Sequence, residues 1–135
     1  MRNGLMLSAA ILMGATLANS ALAAGEGGEE LYMDACATCH GAAGMGEGPM
    51  AEFMTTKVPN LRTLSRDNDG VFPMLKVIQT VDGRTGVRGH GSEMPVWGNQ
   101  FKAESVDDAG IYGAEIIVRG KMLSLALYLE SIQED

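Results

Sequence analysis

The sequence predicts an all-α fold, and three observations carry that prediction. Apolar and polar residues rarely alternate at strand period anywhere in the 135 residues. Near the C-terminus apolar residues recur at helical spacing instead: Ile116, Leu123, Leu127 and Ser131 or Ile132 fall near one face of a helix from roughly Tyr112 to Gln133. Glycine-rich stretches separate the periodic segments and read as loops.

The individual elements follow in order. Glu29 to Ala37 reads as a short helix that turns Leu31, Tyr32 and Ala35 toward a core. Gly41 to Pro49 carries Gly41, Gly44, Gly46 and Gly48 and is loop. Val58-Pro59-Asn60-Leu61 is an extended turn, because a proline ring crowds the residue before it out of helical geometry. Asn68, Asp69 and Gly70 break the chain again. Pro73 is suited to open a helix, since its missing N–H is not needed in a first turn. That helix runs through Leu75, Val77 and Ile78 to about Val81, and a second glycine-rich loop spans Asp82 to Gly98. There is no internal repeat and no interdomain linker.

The first residues read as a targeting segment. Arg2 supplies a positive start, Leu5 to Leu17 is an almost unbroken apolar run, and Ala21-Leu22-Ala23 has the small-x-small pattern that precedes cleavage. The expected division is a secretory signal over 1–23, cut after Ala23, and one small domain over 24–135, located in the periplasm. The apolar run is short for a span of about 20 residues. Membrane attachment is therefore expected only if the segment stays uncleaved.

Chemistry concentrates in Cys36-Ala37-Thr38-Cys39-His40. Two thiols three positions apart on one turn can add across the two vinyl groups of a haem, and the histidine that follows falls where its imidazole can ligate the iron. Both cysteines of the chain lie in this pentad. A disulfide framework would want more of them. A zinc site could recruit His90, but adjacent Cys39 and His40 do not match finger spacing. A dithiol redox motif would need a β-α-β setting that is not visible. The expected cofactor is one haem c bound covalently through Cys36 and Cys39. Low aromatic content (5%) and 10 methionines suit a core that a cofactor completes, although methionine is also a flexible filler.

A haem iron held by His40 has a sixth position, and its occupant decides the function. Met94 is favoured. It stands in a glycine-bounded loop before Pro95, where a thioether can swing onto iron without breaking a helix. Met33, Met74 and Met122 lie on expected helices, and Met45, Met50 and Met54 are close to the pentad. His90, four residues from Met94, is the rival; it would lower the potential that a methionine raises. Trp97 can donate its indole N–H to a haem propionate or simply wall the crevice. Arg84 and Arg88 can neutralise propionates or be merely solvated.

With those residues in hand, the chain resembles a class I c-type cytochrome, monohaem and of bacterial periplasmic type. Gly28-Glu29-Glu30-Leu31-Tyr32 resembles the family's first helix, and Leu127-Tyr128-Leu129 its partner in the closing helix. Val58-Pro59-Asn60-Leu61 resembles the segment whose proline carbonyl accepts a hydrogen bond from the ligand histidine. Met94-Pro95-Val96-Trp97-Gly98 resembles the ligand-methionine loop. The resemblance implies a small fold of three to five helices around the haem, with His40 and Met94 on the iron. Two departures stand out. Val58 occupies a position often held by glycine, and Asn99 to Gly113 lengthens the path to the last helix, reading as a surface insertion.

Charge limits the partners. The formal net charge is −7 and becomes more negative if Arg2 leaves with the signal, which argues against nucleic acid. Residues 24–54 carry six acids and no base, whereas 55–102 carry seven bases against four acids. In the resembled fold the middle segment surrounds the haem edge, so the expectation is a dipolar molecule that meets redox partner proteins with its least acidic end. No paired carboxylates and no nucleophile beside a base suggest catalysis, so an electron carrier is expected rather than an enzyme. The alternatives are the cytochrome c subunit of a larger periplasmic oxidoreductase, or a ligand-binding sensor if Met94 is displaceable.

Overall fold

The computed structural model describes residues 20–86 and 94–134, and among these every regular element is helical. The first helix, α1, is Ser20–Ala35, longer at its start than the sequence suggested. Its hydrogen-bond ladder does not stop there. The Cys36 N–H donates to the Tyr32 carbonyl at 2.8 Å and the His40 N–H to the Cys36 carbonyl at 2.9 Å, so the chain passes with one irregular residue into the short α2, Ala37–His40. Three short 3-10 turns follow, Ala51–Phe53, Leu61–Thr63 and Arg66–Asn68. Then come α3, Met74–Asp82, and a long helical stretch α4, Trp97–Ser131.

The stretch α4 is two helices, not one. Gly110 has φ 67° and ψ 174°, which no helix accommodates. Across it, Lys121 Nζ lies 3.2 Å from Glu104 Oε2 and 4.5 Å from the centre of the Phe101 ring. In a continuous helix residues that far apart in sequence would be separated by roughly 25 Å, at about 1.5 Å per residue. The chain therefore reverses at Gly110 and forms a helical hairpin. Gly tolerates this backbone because it has no Cβ to clash. The first arm buries Phe101 and Ser105.

This corrects two expectations. Asn99 to Gly113 is not a surface insertion; most of it is the first arm of the hairpin, and Phe101 belongs to the core. The expected face of the last helix was also wrong in phase. Ile116 and Leu123 are exposed, whereas Ala114, Val118, Met122, Leu125 and Leu129 are buried. That buried set keeps helical spacing, but it starts on a small residue that carries little hydropathy signal.

The core forms where α1 and α3 pack against the second arm. Tyr32, Val118 and Leu125 are its largest fully buried side chains. Burial of each contributes about 1.5–3 kcal/mol. The α1 crossing is close: a Cβ on Gly28 would overlap the Ser124 carbonyl oxygen and lie 2.8 Å from Tyr128 Cβ. One turn on, the rings of Tyr32 and Tyr128 pack at a 43° tilt with centres 5.2 Å apart. The C-terminus is stapled across the molecule. Gln133 Nε2 donates to the carbonyls of Leu61 and Leu129, and Gln133 Oε1 accepts from the Ser65 N–H. Glu134 pairs with Arg62 at 2.9 Å.

Candidate functional site

The pentad turn is built by local hydrogen bonds. The Tyr32 hydroxyl donates to the Gly41 carbonyl at 2.6 Å and ties the end of α2 back to α1. The glycine-rich loop then folds over the turn: the N–H groups of Gly46, Gly48 and Met50 donate to the carbonyls of His40, Cys39 and Thr38. These bonds satisfy carbonyls that the short α2 leaves without intrahelical partners. His40 is buried, 6% exposed, and its Nδ1 lies 3.3 Å from the Pro59 carbonyl oxygen. Donation from Nδ1 fixes the tautomer in which Nε2 carries the lone pair suited to a metal.

A cleft of about 750 Å³ opens beside this turn. That is within the roughly 300–1,000 Å³ common for sites of small molecules and cofactors. Cys36, Cys39, His40, Pro59, Met94 and Trp97 all line it, so every site residue expected from the sequence meets there. Apolar walls come from Ala35, Val58, Leu61, Leu64 and Leu129. The helix α3 and the Pro73 that caps it supply another wall, with Lys76, Val77, Thr80 and Val81 as a stripe one turn apart on the helix. Sequence reasoning did not assign these to the site, although their spacing was readable in the expected helix. Trp97 stands as a wall with its ring centre 5.5 Å from that of Phe101. Met54 also lines the cleft, a second methionine that closeness to the pentad had set aside.

The donor set fits a covalently held haem. Neither Cys36 nor Cys39 is in a disulfide. Burial, and then the neighbouring Cys39, push the Cys36 thiol up to about 12, the opposite of an activated redox dithiol. Among the described residues no group of three or more His, Cys, Asp or Glu side chains is gathered to hold a bare metal ion. The apolar slot instead suits a flat, largely apolar cofactor.

Two arginines weighed as propionate partners part company. Arg84 does not line the cleft; its guanidinium is engaged by Asp82 and by Glu115, each through two hydrogen bonds. Arg88 lies outside the described residues, as does His90, the alternative iron ligand. No described helix is long and apolar enough to cross a membrane, and residues 1–19 of the expected signal lie outside the description.

An all-helical fold wrapped around a slot that carries a C-x-x-C-H turn defines a c-type cytochrome domain, an electron-transfer module that works through haem c. The chain belongs to the family described as cytochrome c oxidase, cbb3-type, subunit III, whose model matches residues 23–112. That range takes in the pentad, the Met94 loop and the first arm of the hairpin. No curated protein and no solved structure matches the chain significantly.

Proposed function

We propose that the protein is a periplasmic single-electron carrier whose one haem c is attached through Cys36 and Cys39 and ligated by His40 and Met94. The observation that carries this reading is the convergence of these four residues, from two segments more than 50 positions apart in the sequence, on one apolar cleft. When bound, the haem supplies one-electron chemistry between ferric and ferrous iron. The chain does the rest. His40 is oriented by the Pro59 carbonyl, Met94 brings a soft thioether that favours the reduced state, and the walls from α3 and Trp97 exclude water. With His40 and Met94 both holding the iron, the haem would have no coordination site left for a substrate.

The partner surface follows from charge. Lys57 and Lys76 line the cleft together with Asp34 and Asp67, so its rim is close to neutral on a molecule of net charge −7. An acidic redox protein would meet less repulsion there than at the acidic residues 24–54. A second reading is favoured by the family description, which names a subunit of an oxidase: the domain is the cytochrome c subunit of a larger periplasmic oxidoreductase.

An optical spectrum of the oxidised and reduced protein, matured in a host competent in c-type assembly, tests the proposal. A pigment that resists acid-acetone extraction and a weak far-red sulfur-to-iron band are expected. A colourless or extractable product rejects it. Purification from native membranes and from the periplasmic fraction separates the two readings: recovery with catalytic subunits supports the second, and recovery alone supports the first.

A further inference from the structure

We infer that Arg84 is a positioning residue for Met94, the central member of a clamp formed with Asp82 and Glu115 that holds the ligand loop against the cleft. The inference rests on the Met94 ligation proposed above.

Three elements meet at this guanidinium. From the end of α3, Asp82 accepts from Arg84 Nε and Nη2, both at 2.7 Å. From the second arm of the hairpin, Glu115 accepts from Nη1 at 2.7 Å and Nη2 at 3.1 Å. Between them lies the start of the first arm. A Cβ added to Gly98 would overlap Arg84 Nε and stand 2.5 Å from Asp82 Oδ1. One step back, a Cβ on Gly83 would touch Val96 at 3.4 Å. The backbone that carries Met94, Pro95 and Trp97 is thus pressed flat on the 82–84 turn, and Arg84 locks that turn to the far arm.

The chemistry suits an arginine and little else. A planar fork can present paired N–H groups to two carboxylates at once, which a lysine cannot do. The side chains of Arg84 and Asp82 are only 22% and 17% exposed, so solvent screens the pair less than an ordinary surface bridge. Lys102 and Arg119 sit 3.6 and 3.5 Å from Glu115 and balance the second carboxylate. None of this cluster lines the cleft, so its influence on the iron passes through the position of residues 94–98.

A methionine on a loosened strap would spend more time off the iron, and exogenous ligands compete in proportion to that open fraction. The test compares wild type with Arg84→Met, Arg84→Lys and Glu115→Gln, and with Arg66→Gln as a charge control on an exposed ion pair. Imidazole titration of the oxidised holoprotein, the far-red band and the midpoint potential are read together. Arg84→Met is expected to bind imidazole about tenfold more tightly, the change that a tenfold rise in the open fraction produces. Its band weakens and its potential falls. Arg84→Lys and Glu115→Gln fall between it and wild type, and Arg66→Gln matches wild type. If Arg84→Met does not mature, the two milder variants decide. A band and imidazole affinity unchanged in all clamp variants, whatever their thermal stability, overturns the clamp alone. A wild-type spectrum lacking the band overturns the Met94 assignment and the clamp with it.

Discussion

His40 Nδ1 faces the carbonyl oxygen of Pro59 at 3.3 Å, a contact between residues 19 apart in sequence. What holds that carbonyl in place is the turn after it. Asn60 Oδ1 accepts from the Arg62 N–H at 2.8 Å, and the Asn60 carbonyl accepts from Thr63 Oγ1 at 3.4 Å. Replacing Asn60 with Ala removes the first of these and frees the turn to drift. A weaker acceptor at Nδ1 makes the imidazole a poorer donor to ferric iron, so the midpoint potential should rise. The rise should stay below about 59 mV, a tenfold change for one electron. A potential that stays put or falls in potentiometric titration of Asn60→Ala would show that the Pro59 contact does not tune the ligand.

The cleft has two methionines on its walls, and only one is proposed to reach the iron. Met94→Ala should abolish the far-red band, lower the potential and allow carbon monoxide to bind the reduced protein near neutral pH. Met54→Ala should leave all three unchanged, because Met54 belongs to the segment leading into Pro59, on the chain that serves His40. The reverse pattern would transfer the ligand role to Met54. Absence of the band already in the wild type, with a bis-nitrogen spectrum, would direct attention to His90.

The crossing of α1 with the second arm of α4 makes a paired test at adjacent glycines. In a helix interior, Gly→Ala ordinarily stabilises by roughly 1 kcal/mol. At Gly27 the new methyl meets nothing within 4 Å, and in a chain cut after Ala23 it falls in the first helical turn, so Gly27→Ala should stabilise, by less than the interior value. At Gly28 the methyl overlaps the Ser124 carbonyl oxygen, and backbone cannot swing aside as a side chain can. Overpacking there should outweigh the propensity gain and destabilise by about 1–3 kcal/mol. Denaturant midpoints of the two holoproteins should therefore move in opposite directions; equal shifts would mean the helices do not cross at Gly28.

Contiguity decided what could be read from the sequence. Cys36, Cys39 and His40 sit on one turn, so their spacing alone announces the chemistry. The place of Met94 on the cleft was expected because a methionine in a loop, before a proline, can swing inward without breaking a helix. Phase on the last helix was not, because Ala114 and Ala126 are buried at the packing surface while the more hydropathic Ile116 and Leu123 face solvent. The clamp on Arg84 was out of reach for a different reason. Its partner Glu115 is 31 residues away and approaches only because the chain doubles back at Gly110. A glycine inside a run of helix formers was the signal for that reversal, and the stretch that holds it was read as a surface insertion.

The clamp also fixes how stability responds to acid. Hydrogen bonds from Arg84 hold the carboxyls of Asp82 and Glu115 below their ordinary values of 3.8 and 4.5, against the smaller opposing effect of desolvation. Both groups bind protons less readily folded than unfolded. Their contribution is therefore fully present above the ordinary carboxylate values and is lost as pH falls from those values down through the lowered folded ones. Glu115 is solvated enough that its share is small, so Asp82 carries most of the effect. In Arg84→Met the two carboxyls return toward unfolded behaviour and the acid-dependent loss shrinks. Urea midpoints of the two holoproteins should differ steadily from about pH 7 to 5 and converge below about pH 4. Acid profiles that run parallel down to about pH 3 would mean that the Arg84 bonds make no pH-dependent contribution to the folded state.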